Sequence, residues 1–182
     1  LRSALANLRG VIGDRQADPP FLLITRDTVQ FNPAADYHLD VAALEACVRY
    51  PVEYTEHLFT NGGGGVLEGF SLPESAVFEE WLLSRRERFR REMLDALGRL
   101  AQHHEGRADF ERAIGYTRHQ LELESWDEAA HRRLMRLLAL TDRRGQALIQ
   151  FELCGHALRE ELGVEPGHET VTLYERIRDE TL

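Results

Sequence analysis

The sequence predicts a mainly α protein: tetratricopeptide-like helical hairpins, an α-α superhelix, preceded by a short helix and a β-hairpin. Three observations lead there. From Leu97 to Pro166, apolar residues recur at helical spacing through two consecutive hairpins. Leu100 and Leu134 are 34 residues apart, as are Ala113 and Ala147, and Ile114 and Leu148. That period is the tetratricopeptide one. The first 38 residues read instead as one helix and two short strands around a polar turn. A single hairpin of helices cannot bury its apolar faces alone, so it stacks on a neighbour and builds a groove. The expectation is a scaffold that grips something, not a catalyst.

Composition sets the class. The 182 residues are 43% hydrophobic and 29% charged, as in a soluble globular protein. No apolar run is long enough to span a bilayer, and no charged-then-apolar leader precedes the domain. A cytoplasmic protein with no membrane partner is expected. The chain starts at Leu1, not Met, and reads as a fragment whose true start is missing. Cys47 and Cys154 read as plain core residues rather than a disulfide. All 22 basic residues are arginine, which reads as codon bias. The formal net charge of −9 argues against a wholly nucleic-acid-binding surface. The charge is uneven, however. Residues 1–38 hold four arginines and four aspartates, so residues 39–182 carry the whole excess.

At the start, LRSALANLRGVIG places Leu1, Leu5, Leu8 and Ile12 on one helical stripe, with Gly13 as the stop. Ser3, Ala6, Asn7 and Gly10 then point away from the core, and Arg2 and Arg9 share a flank. DRQADPP is a loop, FLLI a strand, TRDT a turn, VQF a second strand, and Asn32-Pro33 ends it. A helix followed by a hairpin with Arg26 at its tip suggests the second half of a winged helix. The helix would enter the major groove, and the hairpin would touch phosphate or the minor groove. Asn7 suits adenine, and Arg2 or Arg9 suits guanine or phosphate. The same pattern also describes an ordinary amphipathic helix beside a hairpin with solvated arginines.

In the middle, Asp40 caps a helix carrying Val41, Leu44 and Val48, and Pro51 interrupts or restarts it before a helix from Val52 to Phe59. NGGGG at 61–65 is a turn, with no Gly-Lys-Ser/Thr to make it a phosphate loop. Ser75 is a candidate cap for a long helix from about Ala76 to His104, striped by Phe78, Trp81, Leu82, Phe89, Met93, Leu97 and Leu100. RRERFRR at 85–91 on that helix reads as a self-paired, solvated face, since Glu87 reaches Arg91 and Arg88 reaches Glu92 at i,i+4. His103-His104-Glu105 is not a metal site, because adjacent helical residues diverge by about 100°.

The hairpins follow. The first is expected to turn at Glu105-Gly106 and return through Phe110, Ile114, Leu121 and Leu123. Ala130, Leu134, Leu137 and Leu138 line the next helix, and Ala147, Leu148, Phe151, Cys154, Leu158 and Leu162 the one after. Gly163, Val164 and Pro166 end it in a left-handed turn. A last helix from about Glu169 to Arg178 buries Val171, Tyr174 and Ile177 and closes the array. No catalytic constellation, cofactor motif or metal-ligand spacing emerges, so an enzyme is not expected.

Several blocks together resemble one family. LRSALANLRGVIG, LLITRDTVQFNP, HLDVAALEACV, VLEGFSLPESAVFEEWLLSRRE, AHRRLMRLLA and ALIQFELCGHALREELGVEPGHETVTLYERI fall in the order of the bacterial transcriptional activator domain. That is the domain of the Streptomyces antibiotic regulatory proteins and their larger relatives. Glu161 to Pro166 followed by Leu173-Tyr174 is the most specific part. The resemblance implies that residues 1–36 are the remnant of an OmpR-like winged helix, recognition helix and wing, and 37–182 the activator domain. It implies promoter DNA as a partner through Arg2, Ser3, Asn7, Arg9 and Arg26. It also implies contact of the helical domain with RNA polymerase or another protein, and self-association into a homo-oligomer. In larger relatives an ATPase follows. Two departures stand out: Asn7 where the family more often has a basic residue, and the four glycines at 62–65. The other function that fits is a tetratricopeptide-type interaction scaffold with no DNA binding of its own.

Overall fold

The structure, a computed structural model, describes residues 2–37 and 66–181. The expected Asp40-capped helix, the Val52–Phe59 helix, the glycine turn at 61–65, Leu1 and Cys47 lie outside the described residues. The chain divides into two compact units, Leu1–Leu39 and Asp40–Leu182.

The first unit contains helix α1 (Arg2–Val11) and an antiparallel hairpin of β1 (Leu22–Ile24) and β2 (Val29–Phe31). Leu22 pairs with Phe31, Leu23 with Gln30 and Ile24 with Val29. Gly13 sits at φ +69°. There Asp14 N–H reaches Arg9 O and Gly13 N–H reaches Gly10 O, the crossed pair of bonds of a Schellman turn. The expected apolar stripe of α1 is not a core face: Leu8 is 46% exposed, and no described residue of the helix is buried. The hairpin is too small to cover it.

The second unit is a stack of five described helices: α2 (Ala76–Gly106), α3 (Phe110–Leu123), α4 (Glu128–Leu140), α5 (Arg144–Leu162) and α6 (His168–Arg178). Each packs on the next, and α4 also packs on α6. Ser75, Asp109 and Asp127 cap α2, α3 and α4 by accepting a backbone N–H three residues on. The core joins Ala113 and Ile114 of α3, Leu134, Met135, Leu137 and Leu138 of α4, Ala147 of α5 and Ile177 of α6. Ala113 and Ala147 are fully buried and bring their helices close, as the 34-residue spacing implies. Cys154 is buried in the core as expected, and that burial pushes its thiol up to about 12.

Three expectations are revised. α2 continues through Gly106, so the turn falls at Arg107-Ala108, with Ala108 at φ +58°. Trp81 of the α2 stripe is 46% exposed, because α3 has 14 residues against 31 in α2 and covers its C-terminal part, where Ala96, Leu97, Leu100 and Ala101 are buried. Leu162 is 53% exposed, because the chain leaves α5 there through Gly163, at φ +68°.

The short last helix borrows both caps. Gly167 offers no side chain, and Glu128 Oε1 of α4 accepts its N–H at 2.7 Å and also the Thr170 hydroxyl. At the other end Arg144 of α5 donates from Nε to the Ile177 carbonyl at 3.0 Å. A carboxylate at the N-terminus and a guanidinium at the C-terminus both oppose the helix dipole favourably.

Between α4 and α5, His131 is buried and held at both nitrogens. Nε2 lies 2.9 Å from the Ser125 carbonyl, and Nδ1 lies 2.6 Å from Gln150 Nε2. A carbonyl needs a donor, so the ring proton sits on Nε2 and Nδ1 accepts from the Gln150 amide. Burial pushes the pKa below its ordinary 6.5, against the opposing pull of the Ser125 carbonyl, Asp127, Gln150 and Glu128.

Two predictions follow from these geometries. An alanine in the left-handed region is strained by about 1 kcal/mol or more. Ala108→Gly is therefore expected to raise stability by about 0.5 kcal/mol after its added chain entropy, a thermal midpoint higher by about 1–2 °C. A lower midpoint by calorimetry would contradict this. His131 binds its proton more readily unfolded than folded, so its share of stability is complete above the ordinary pKa near 6.5 and declines as pH falls below it. Urea titrations of wild type and His131→Gln between pH 7.5 and 5 check this: the stability difference between them should shrink as pH drops.

Candidate nucleic-acid interface

The five candidate DNA-contacting residues all lie in the first unit. Ser3 and Asn7 are exposed and sit four apart on α1, so they share a face with Gly10 one turn on. Arg2 is exposed in the first turn of α1. Small side chains along such a face allow close approach to a flat surface.

Arg26 is exposed at the hairpin tip. The turn beneath it is built by threonines. Thr25 N–H donates to Thr28 O at 2.9 Å, and Thr25 Oγ1 accepts from the Thr28 N–H at 3.0 Å and lies 2.8 Å from Thr28 Oγ1. The tip is therefore preorganised by short side chains that hydrogen-bond their own backbone.

Arg9 differs from the other four. Its Nε donates to Asp14 Oδ2 at 2.6 Å, and its side chain is 35% exposed. Asp14 is 1% exposed, and its second oxygen, Oδ1, accepts the Leu22 N–H at 2.7 Å. Burial alone would raise this carboxyl, but the Arg9 hydrogen bond, the Leu22 N–H and the Arg9 charge outweigh it and hold the pKa below 3.8. Sequence reasoning missed Asp14, which stood in a polar loop. Its one signal is its place directly after the helix-stopping Gly13.

Asn32 is the second polar residue buried in this unit, and it closes the hairpin base. Its Nδ2 donates to Pro20 O at 2.7 Å, its Oδ1 accepts the Ala34 N–H at 3.1 Å, and its own N–H donates to Phe21 O at 2.7 Å. Phe31 packs edge-on against Tyr37 beside it, with ring centroids 4.6 Å apart.

The basic run of the second unit is spent internally. Arg88 pairs with Glu92 at 2.7 Å and Arg91 with Glu87 at 3.4 Å, the two i,i+4 pairs expected from the sequence. Arg90 bridges Glu87 and Glu124, and Arg86 donates to the carbonyls of Val66, Leu67 and Phe70. Across the stack, Arg136 reaches Glu105 of α2 and Arg132 reaches Glu169 of α6. Among the described residues no group of three or more His, Cys, Asp or Glu could hold a metal, and no helix is long and apolar enough to cross a membrane.

A stack of helical hairpins whose surface arginines are paired, in a chain that opens with a helix and hairpin, defines a helical interaction domain of the regulatory kind. The chain belongs to the bacterial transcriptional activator domain family, whose model matches residues 63–178. The structure of Mycobacterium tuberculosis EmbR in complex with a low-affinity phosphopeptide matches all of this chain at 18% identity and a TM-score of 0.57, a likeness of fold. The chain spans 49% of that protein's length. No curated protein sequence matches.

The base of the hairpin yields a test. Asn32→Ala removes two side-chain hydrogen bonds and leaves the buried Pro20 carbonyl short of a donor. It is expected to cost about 1–3 kcal/mol within the first unit. Hydrogen exchange at the β1–β2 amides should speed accordingly, while α3 to α5 stay unchanged. Unaltered exchange in the hairpin would rule out this role.

Proposed function

We propose that this chain is part of a DNA-binding transcriptional activator that works in the cytoplasm. Residues 1–36 are the back half of a winged helix, with α1 as recognition helix and β1–β2 as wing. Residues 37–182 are the activator domain. The observation that carries this reading is the family match over the helical stack, placed directly after a helix–hairpin unit with an exposed Ser3, Asn7 and Gly10 face. Asn7 and Ser3 read base edges from α1, Arg2 and Arg9 contact guanine or phosphate on its flank, and Arg26 contacts phosphate or the minor groove from the wing. The helical domain contacts protein: a second copy, RNA polymerase or a further regulatory domain of the same polypeptide. Its paired arginines and net acidity favour a protein surface over a nucleic acid.

The test uses the full-length protein and duplexes enriched from a random-sequence pool. Salt-sensitive, selective binding is expected. Arg26→Ala should weaken binding to all duplexes alike and lower the slope of log K against log salt by about 1. Asn7→Ala should relax preference at a single base pair by about 1–3 kcal/mol. No gel retardation at low salt, with no enriched duplex, overturns the reading and leaves the interaction scaffold.

A further inference from the structure

We infer that Asp14 sets the angle between the recognition helix and the wing, and so governs DNA selectivity without touching DNA. This rests on the DNA-binding reading above. The argument starts from what does not hold α1 in place. No described residue of α1 is buried, so apolar packing among these residues leaves the helix free to rock against the hairpin. The connection is polar instead. One carboxylate takes the Arg9 Nε–H from the end of the helix on Oδ2 and the Leu22 N–H from the first residue of β1 on Oδ1. Asp14 itself is fixed by the Schellman turn at Gly13, whose bonds run back to Arg9 and Gly10. Helix end, turn and strand start are thus joined through two oxygens bonded to a single carbon.

The Asp14 side chain is 0% exposed and has no access to a ligand, so its effect on DNA must pass through its partners. Arg9 has one edge engaged and about a third of its side chain exposed, which points the outer part of the guanidinium in one direction. Leu22 pairs with Phe31 and leads to the tip that carries Arg26. Base reading fails when contacting groups are misplaced by more than about 0.5 Å. A loosened bridge therefore costs selectivity more than it costs attraction to phosphate. Asp14 is a positioning residue.

The experiment compares, in the full-length protein, affinity for the pool-enriched duplex with affinity for a scrambled duplex of the same composition. Asp14→Asn keeps an oxygen for the Leu22 N–H but loses the charge that fixes Arg9. The ratio of affinities is expected to fall about tenfold. Binding to the scrambled duplex should hold or rise, since a negative charge beside the phosphates is gone. Arg9→Ala with Asp14→Asn should lower the ratio no further than Arg9→Ala alone, the sign that Asp14 acts through Arg9. Leu22→Pro deletes the other donor at the first position of a strand, where proline is tolerated, and should lower the ratio in the same sense. It decides the matter if circular dichroism shows that Asp14→Asn has not folded.

Equal losses on both duplexes, with the ratio unchanged, would mean that Asp14 is merely structural, and the inference falls while the DNA reading stands. A wild type with no preference for any duplex removes the DNA reading and this inference together.

Discussion

The helical unit depends on α4 having neighbours on more than one side. Six of its 13 residues are buried: Ala130, His131, Leu134, Met135, Leu137 and Leu138. They cover too much of the circumference for one partner. Leu134 and Leu138 follow the single stripe of an amphipathic hairpin, whereas Met135 and His131 lie off it. Their burial follows from stacking α3, α5 and α6 around the same helix. Each fully buried leucine is worth about 1.5–3 kcal/mol, so α4 concentrates much of the stabilisation of the unit. The repeat is equally one of backbone geometry. Ala108 and Asp142 are 34 residues apart and both adopt the left-handed conformation, at φ +58° each. The Asp109 and Arg143 N–H groups that follow return to His104 and Leu138, again 34 apart.

The end of the stack shows how far local sequence goes. An 11-residue helix is too short to persist alone in water. α6 has no capping side chain of its own at Gly167, and a Cβ there would come within 3.2 Å of Glu128 Oε1. The glycine is the condition for a carboxylate from α4 to reach the helix terminus. Arg144 serves the other end from α5. Both caps come from residues more than 30 positions away, so α6 forms as it docks.

Much of the fold was legible because hydrophobic period and capping chemistry are local. The sequence-based boundaries of α2, α3 and α6 lie within two residues of the structure at the ends it named, and the Glu87–Arg91 and Arg88–Glu92 pairs were readable at i,i+4. What stayed hidden has one cause: a stripe shows which face is apolar, not whether anything lies opposite. Trp81, Leu8 and Leu162 carry the right period and remain half-exposed for want of a partner. Distance in sequence hid the rest. Arg86 and Arg90 look like their neighbours in RRERFRR, yet one holds carbonyls 16 to 20 residues upstream and the other a glutamate 34 residues downstream. Asp14 was hidden because a polar loop residue and a buried bridge have the same letter.

Charge and geometry meet at Arg9. The first unit has four arginines and four aspartates, so it presents no strong field to draw a polyanion. The acidic excess lies on the helical unit, where its effect on a distant phosphate is screened over about 8–10 Å. Affinity under these conditions must come from a few well-placed contacts. Engaging Arg9 with a buried carboxylate lowers the attraction of that side chain for phosphate. It fixes the guanidinium and joins helix to strand in return. A surface rich in cations could tolerate a loose helix, because its attraction does not depend on direction. A neutral unit whose α1 buries none of its described side chains cannot, and the Arg9–Asp14–Leu22 bridge is the contact that supplies the missing rigidity.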